Sequence, residues 1–128
     1  MTRIAVIEDD SGISRLIRDA LRESGHETIS YFQPSTDILE HLKNYQPDLV
    51  ILDLRLNDSV NGWDIITALK QEPSTRSTPI IVCSAASKQI EENRAWLQEL
   101  GVPVVAKPFD LDELDALVDQ MLVSQPVE

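Results

Sequence analysis

The run Leu49-Val50-Ile51-Leu52, followed directly by Asp53, decides the fold of this chain. All four residues of the run are apolar, so a strand formed here must be buried on both of its faces. The run Ile80-Ile81-Val82, further along the chain, has the same character. Strands that are apolar on both faces are typical of a parallel sheet that helices cover on each side. The two runs therefore predict the central strands of such a sheet.

Other short segments rich in β-branched residues extend this pattern in both directions. The sequence predicts five strands: Ile4 to Ile7, Thr28 to Phe32, Leu49 to Leu52, Pro79 to Cys83 and Val102 to Ala106. Apolar residues at helical spacing follow each strand, which gives the order βαβαβαβαβα. Such alternation requires right-handed crossovers onto a parallel sheet. We therefore predict an α/β, flavodoxin-like (βα)5 fold, with a five-stranded parallel sheet of order 2-1-3-4-5 and helices on both faces.

Helix ends and tryptophan positions can also be predicted. The first predicted helix has Ser11 as its N-cap and Gly25 as its end, because these residue types favour those positions. The fourth predicted helix is a single element with Trp96 at apolar helical spacing. We expect Trp96 to lie in the core and Trp63 to be exposed.

Length and composition indicate one domain. The chain has 128 residues, of which 42% are hydrophobic and 26% charged, and this is enough to form a core without disulfides or structural metals. We expect the domain to span residues 1–123, followed by a C-terminal tail at 124–128.

Charge and hydropathy disfavour two classes of partner. Lys and Arg number 11 against 22 Asp and Glu, and the formal net charge of -11 disfavours binding to nucleic acid or to anionic membranes. No stretch approaches the roughly 20 apolar residues of a membrane span, and the N-terminus has no signal-peptide pattern. The lone cysteine, Cys83, lies in an apolar run. These features predict a cytoplasmic protein with a buried, inert thiol.

Polar residues collect where the predicted strands end. They are Glu8, Asp9 and Asp10 after the first strand, Asp53 after the third, Ser84 after the fourth and Lys107 after the fifth. Because the first and third strands are neighbours in the predicted order, their carboxylates should converge at the carboxyl edge of the sheet. Three carboxylates so close repel each other unless a hard divalent cation lies among their oxygens. Glu8, Asp9 and Asp53 therefore predict a site for Mg²⁺ or Mn²⁺.

Asp53 also has the position of a nucleophile. It ends the most apolar strand, where a rigid sheet would hold its carboxylate ready to attack phosphorus. A metal ion would neutralise the accumulating negative charge, while Lys107 and the Ser84 hydroxyl could each bind a phosphoryl oxygen. Taken alone, Ser84 and Lys107 are ordinary strand-end residues. Their joint placement with the acids predicts an acyl-phosphate site.

Four motifs, in this order and spacing, resemble the receiver family of two-component response regulators over roughly residues 3–122. They are Ile7-Glu8-Asp9-Asp10 for the acidic pair, Val50-Ile51-Leu52-Asp53-Leu54 for the phosphoacceptor, Ser84-Ala85 for the Ser/Thr-Ala pair and Lys107-Pro108-Phe109 for the Lys-Pro-aromatic signature. The resemblance covers nearly the whole chain.

The resemblance implies roles for the acidic residues. Asp53 would be the phosphoacceptor. Asp9 and Asp53 would ligate Mg²⁺ directly, the backbone carbonyl of Arg55 would complete the protein ligands, and Glu8 would act through metal-bound water.

The resemblance also implies roles for the residues of the last two strand ends. Ser84 and Lys107 would act on the phosphoryl oxygens, and a cis peptide between Lys107 and Pro108 would aim the lysine into the site. Phosphorylation would pull Ser84 toward the phosphate and shift the surface of the fourth helix, fifth strand and fifth helix between two states.

The implied partners are a histidine kinase or a histidine phosphotransfer protein, whose phosphohistidine supplies the phosphoryl group, and a downstream protein that docks on the shifted surface. The domain would catalyse its own phosphorylation rather than turn over a separate substrate. Dephosphorylation should be slow, because Arg55 and Ala86 match the positions beside the phosphoryl group and neither offers a carboxylate or an amide to orient water. No output segment follows Val123 in this chain, so we expect either a single-domain regulator that signals by docking or a receiver domain cut from a longer chain, with the initiating Met and the short tail favouring the first.

Two positions depart from the family's pattern. The residue three positions before the lysine is usually aromatic, but here it is Val104, so the usual aromatic switch is absent or replaced. The loop after Asp53 has Asn57 where the family usually has Pro, and it reaches Gly62 one residue late. We expect this loop, Arg55 to Trp63, to be irregular.

Two other function classes stay open. An aspartate-nucleophile phosphatase also combines a strand-end Asp, Mg²⁺ and Lys, but it normally has a second acid two residues after the nucleophile, where this chain has Arg55. A receiver-like adaptor would act by constitutive contacts without phosphorylation. The complete set of site residues argues against a receiver that has lost phosphotransfer, whereas Val104 and the longer loop are compatible with such a loss.

Overall fold

Five strands form one parallel sheet. The structure is a computed structural model that describes residues 2–31, 37–54, 61–85, 87–107 and 109–123. The strands are β1 (Arg3–Ile7), β2 (Glu27–Tyr31), β3 (Leu49–Leu52), β4 (Ile80–Ser84) and β5 (Val104–Ala106). Their order is β2-β1-β3-β4-β5, and every neighbouring pair is parallel. The predicted flavodoxin-like topology is confirmed.

Six helices flank the sheet in the part of the chain that the structure describes. They are α1 (Ser11–Glu23), α2 (Ile38–Tyr45), α3 (Gly62–Gln71), α4 (Ser87–Glu92), α5 (Arg94–Glu99) and α6 (Leu111–Val123). None of these helices is both long enough and apolar enough to span a membrane.

Side chains of the central strands alternate between two hydrophobic layers. On β3, Leu49 and Ile51 pack with the helices α1 and α6, in what we call the α1/α6 layer. Val50 and Leu52 point the opposite way and pack with α2, α3, α4 and α5, in the α2–α5 layer. All four side chains are buried, which is the reason that the run is apolar throughout.

The strand bounds differ from the prediction by one or two residues. β1 and β2 begin one residue early, at Arg3 and Glu27, and β4 ends at Ser84 rather than Cys83. The other two differences occur at prolines. β4 begins at Ile80 rather than Pro79, and β5 begins at Val104 rather than Val102. Proline has no N–H to donate to a ladder, and Pro79 and Pro103 contribute only their carbonyls, to Val50 and Val82. The Val102 N–H donates to the Leu97 carbonyl of α5 instead of to a strand.

The start of α1 was predicted wrongly by one residue. Asp10, not Ser11, is the N-cap, and its Oδ1 accepts a hydrogen bond from the Ile13 N–H at 3.1 Å. Aspartate and serine are about equally good caps, so the sequence alone did not separate them. The end of the helix is as predicted: the chain turns at Gly25 with a φ of 94°, a conformation that glycine adopts without strain.

The prediction of a single helix between β4 and β5 is also wrong, because the helical segment is divided at Asn93 into α4 and α5. The side-chain amide of Asn93 donates to the Gln89 carbonyl at 2.9 Å, the same oxygen to which its backbone N–H donates at 3.1 Å. Such side-chain bonds compete with regular helical geometry. The break leaves α5 as a separate element of six residues.

Gly62 begins α3 in close contact with the segment that follows β3. A Cβ on this residue would lie 2.6 Å from the Leu54 Cα and 2.8 Å from the Asp53 carbonyl oxygen, both of which are backbone atoms. Only glycine fits this approach. The start of α3 is therefore held directly against the residues that follow the most buried strand.

We expect Gly62→Ala to lower the free energy of unfolding by about 2 kcal/mol, since the added methyl group forces backbone atoms apart. Urea denaturation followed by circular dichroism would measure this. Gly12→Ala is a matched control near the start of α1, where an added Cβ would meet only the Asp10 side chain, at 3.3 Å. The control should change stability by less than about 1 kcal/mol. Equal effects of the two substitutions would contradict the steric explanation.

Cys83 is buried on β4, as predicted. Burial raises the pKa of its thiol to about 12, although the charge of Lys107 opposes the shift. Because only the thiolate reacts readily, we expect iodoacetamide at pH 8 to leave the native protein unmodified and to alkylate it fully in urea. Intact mass measures both. Stoichiometric alkylation of the native protein would show that β4 opens readily.

Candidate functional site

Three carboxylates converge at the carboxyl edge of the sheet. Glu8, Asp9 and Asp53 each offer an oxygen within 4.8 Å of the others. The pairing of β1 with β3 brings them together, because Ile7 is in register with Leu52 and the Asp53 N–H donates to the Ile7 carbonyl at 2.9 Å. Glu8 and Asp53 are 2% and 4% exposed, whereas Asp9 is open to solvent. Two buried carboxylates and one exposed carboxylate thus lie close together at this edge of the sheet.

Lys107, at the end of β5, compensates this negative charge. Its Nζ donates to Glu8 Oε2 at 2.7 Å and to Asp53 Oδ2 at 3.2 Å. The Lys107 backbone N–H donates to the Ser84 carbonyl at 3.1 Å, which ties the end of β5 to the end of β4. The ammonium group therefore bridges the carboxylates that follow β1 and β3.

Burial and charge act in opposite directions on Glu8. Burial raises the pKa of its carboxyl to about 7; the hydrogen bond from Lys107 opposes this, and the charge of Asp53 adds to it. For Lys107, burial alone would lower the pKa, but the hydrogen bond to Glu8 and the charge of Asp53 outweigh it and raise the pKa. Lys107 thus stays protonated, and any further cation in this cluster would favour the ionised form of Glu8.

Ser84 and Val104 are at opposite ends of their strands: Ser84 ends β4 at the site, whereas Val104 begins β5. Ser84 is the last residue of β4 and is buried. Val104 is half-buried on β5 and packs against the α2–α5 layer, as Trp63 and Trp96 do. The predictions that Trp96 belongs to the core and that Trp63 is exposed are both wrong, because both side chains are half-buried.

The sequence model of the response regulator receiver domain family matches residues 4–119. The chain belongs to this family.

Relatives and solved structures agree with this membership. The receiver domain is 32% identical over 126 residues to the response regulator ArlR of Staphylococcus aureus. That match covers 98% of this chain and 55% of the relative, so the chain spans about half the length of the curated relatives it matches. The crystal structure of a sensor protein from Polaromonas sp. JS666 has a TM-score of 0.84 and 27% identity, and the match covers 98% of both chains. That of NtrX from Brucella abortus in complex with ADP has a TM-score of 0.82 and 25% identity, over 98% of this chain and 28% of NtrX.

Asp10 contributes to the receiver domain's site in a way that the sequence did not reveal. Its backbone N–H donates to Glu8 Oε1 at 3.2 Å, while Lys107 holds the other oxygen of that carboxylate. The Asp10 side chain caps α1, so one residue fixes both the helix and the orientation of Glu8. An aspartate just before an apolar helical pattern was the available signal.

An apolar groove of about 460 Å³ borders the receiver domain's site on the side of α1. It is lined by Ile13, Leu16, Ile17, Ala85, Lys107, Phe109 and Leu111. Leu16 is 57% exposed, and among the described residues it and Val123 are the large hydrophobic side chains left exposed. The groove thus joins the site to an open apolar surface.

Several predicted features of the receiver domain lie outside the described residues. They are the Arg55 carbonyl, Asn57, Ala86, the peptide between Lys107 and Pro108, Phe32 and the tail at 124–128.

Proposed function

We propose that this receiver domain accepts a phosphoryl group on Asp53 from a phosphohistidine of a histidine kinase or a histidine phosphotransfer protein. The single observation that carries the proposal is the setting of Asp53. Its buried carboxylate lies at a strand end with an ammonium group 3.2 Å away and two further carboxylates beside it. Like the rest of the family, the domain acts in two-component signalling.

The donor set fits Mg²⁺, with Mn²⁺ as an alternative. Glu8, Asp9 and Asp53 would hold the ion, with the backbone carbonyl of Arg55 as a further ligand. Three carboxylates and a solvent-exposed side suit a cation that keeps part of its water shell. When bound, the ion would neutralise negative charge on the carboxylates and on the incoming phosphoryl oxygens.

The transfer itself needs a nucleophile and donors for the phosphoryl oxygens. In this proposal an Asp53 carboxylate oxygen forms the bond to phosphorus as the bond from phosphorus to the donor's histidine nitrogen breaks. Lys107 exchanges its contact with Glu8 for a phosphoryl oxygen, and the Ser84 hydroxyl donates to another. The histidine is released, and no separate substrate is turned over.

The groove beside α1 is the proposed docking place of the phosphodonor protein. It is apolar, and Lys107 lines both the groove and the acidic cluster. A partner helix seated there would bring a phosphohistidine to the edge where Asp53 lies. In this proposal a downstream protein docks on an output surface formed by α4, α5, β5 and α6. Phosphotransfer and docking both take place in the cytoplasm.

The test is intact mass after incubation with acetyl phosphate, once with Mg²⁺ and once with EDTA. We expect a single phosphoryl mass gain that requires the divalent ion. A mass gain that persists in EDTA would contradict the metal's role. No gain under either condition, with no Mg²⁺ binding by calorimetry, would leave a constitutive adaptor as the better description.

We expect Leu16→Asp to slow phosphotransfer from a protein donor by about tenfold, since a charge at the centre of an apolar interface costs at least about 1.4 kcal/mol. A panel of purified, autophosphorylated histidine kinase domains would serve as donors, and the fastest one would be used for rates. Val123→Asp is the matched control, because Val123 is exposed at the end of α6 and does not line the groove. Equal rates for both variants would place docking elsewhere.

A further inference from the structure

We propose that the contact between Trp63 and Trp96 transmits the state of Asp53 to helix α5. This inference rests on the proposed function, because phosphorylation of Asp53 is the event transmitted. It concerns the regulation of that same site and assigns the coupling to helix α3 rather than to strand β5.

The first link is the backbone contact between Gly62 and the phosphoacceptor segment. The Gly62 N–H faces the Leu54 carbonyl at 3.4 Å, and the glycine lies too close to the Asp53 and Leu54 backbone for any side chain. A new phosphoryl group and a metal ion next to Asp53 change the forces on this backbone. Because packed protein is nearly incompressible, a displacement of Leu54 must move the start of α3.

The second link is the next residue of α3. The backbone N–H of Trp63 is capped by Asn61 Oδ1 at 2.8 Å, so its indole follows the first turn of the helix. The ring centroids of Trp63 and Trp96 are 5.9 Å apart, with the planes tilted by 50°. Tilted packing at this distance is a favourable geometry for aromatic rings. Movement of Trp63 therefore reaches α5 through direct contact.

The third link is the separation of α5 from α4 by the break at Asn93. Within α5, Leu97 is the buried side chain and Trp96 packs half-buried against the same α2–α5 layer, where it meets Trp63. An open cleft of about 350 Å³, lined by Trp63, Asn93 and Trp96, gives the rings room to change their arrangement. A six-residue helix can shift as a unit, and the hydrogen bond from the Val102 N–H to the Leu97 carbonyl would carry such a shift toward β5.

The absence of an aromatic side chain at Val104 fits this assignment. Among the described residues, the aromatic side chains that pack against the α2–α5 layer are Tyr31, Tyr45, Trp63 and Trp96. None of them is on β5, and only the two tryptophans connect the segment after Asp53 with the helices between β4 and β5.

The test is hydrogen-deuterium exchange of the peptide that covers α5, before and after Mg²⁺ and acetyl phosphate, with intact mass taken on the same samples. In the parent we expect phosphorylation to change the exchange rate in α5 at least severalfold. In Trp63→Leu, which keeps apolar bulk but no ring, that change should fall at least fivefold while the phosphoryl mass gain stays the same. Trp63→Phe keeps a ring and should retain most of the response.

A second readout covers the case in which Trp63→Leu does not fold. The chain contains 2 tryptophans, so Trp63→Phe and Trp96→Phe each leave one reporter. Phosphorylation should change the emission of both single-tryptophan variants. Unchanged emission in both, or an α5 response in Trp63→Leu equal to that of the parent, would overturn the coupling alone. A missing phosphoryl mass gain in the parent would overturn the proposed function, and this inference with it.

Discussion

Asp53→Asn should abolish the phosphoryl mass gain and leave the fold unchanged. The amide has nearly the same shape as the carboxylate, so it can fill the same buried position at the end of β3. It lacks the anionic oxygen that attacks phosphorus, and it is a weaker ligand for a hard cation than a carboxylate. Intact mass after treatment with Mg²⁺ and acetyl phosphate measures the loss, and circular dichroism checks the fold.

The control is an Asp→Asn substitution at Asp48, at the other end of β3. Asp48 precedes β3 and accepts a hydrogen bond from the Arg3 backbone N–H at 2.8 Å, far from the site. Asp48→Asn should keep the full mass gain. If Asp53→Asn were modified as fully as the parent, another residue would be the phosphoacceptor.

Lys107→Met should lower the free energy of unfolding by about 3 kcal/mol in EDTA, the cost of removing one partner of a buried ion pair. Methionine keeps most of the apolar stem but leaves Glu8 and Asp53 without the ammonium group that now compensates them. Mg²⁺ should restore part of the loss, because a divalent ion among the carboxylates replaces the missing charge. Urea denaturation with and without Mg²⁺ measures both effects.

Arg94→Met is the matched control for burial. The Arg94–Glu91 pair has an N to O distance of 2.8 Å, against 2.7 Å for the Lys107–Glu8 pair, but both of its side chains are largely exposed. Exposed ion pairs contribute little to stability, so this variant should unfold as the parent does. A similar loss in both variants would mean that burial does not decide the strength of the pair.

The topology could be predicted from the sequence because the central strands are apolar on both faces. The run from Leu49 to Leu52 has its side chains in two layers, and this requirement fixes the parallel sheet with helices on both sides. The convergence of Glu8, Asp9 and Asp53 follows from the strand order alone, since β1 and β3 are neighbours that end together. Sequence position was therefore enough to predict that these groups meet.

The details that were missed depend on contacts between distant residues or on competing local bonds. The break at Asn93 results from an amide that bonds to Gln89, and an apolar pattern contains no information about that choice. The Trp63–Trp96 contact joins two helices far apart in sequence, so helical spacing could assign neither ring to core or surface. The role of Asp10 depends on the turn geometry that points its N–H at Glu8.

The alternation of side chains between the two layers has a consequence for how partners share this domain. The apolar groove belongs with α1 and α6, whereas the tryptophan contact belongs with the helices on the opposite face of the sheet. A protein bound on one face leaves the other face uncovered. In the proposed mechanism, a phosphodonor seated in the groove would leave α4 and α5 uncovered, whereas a downstream protein that also reached α6 would overlap the donor, because Leu111 of α6 lines the groove.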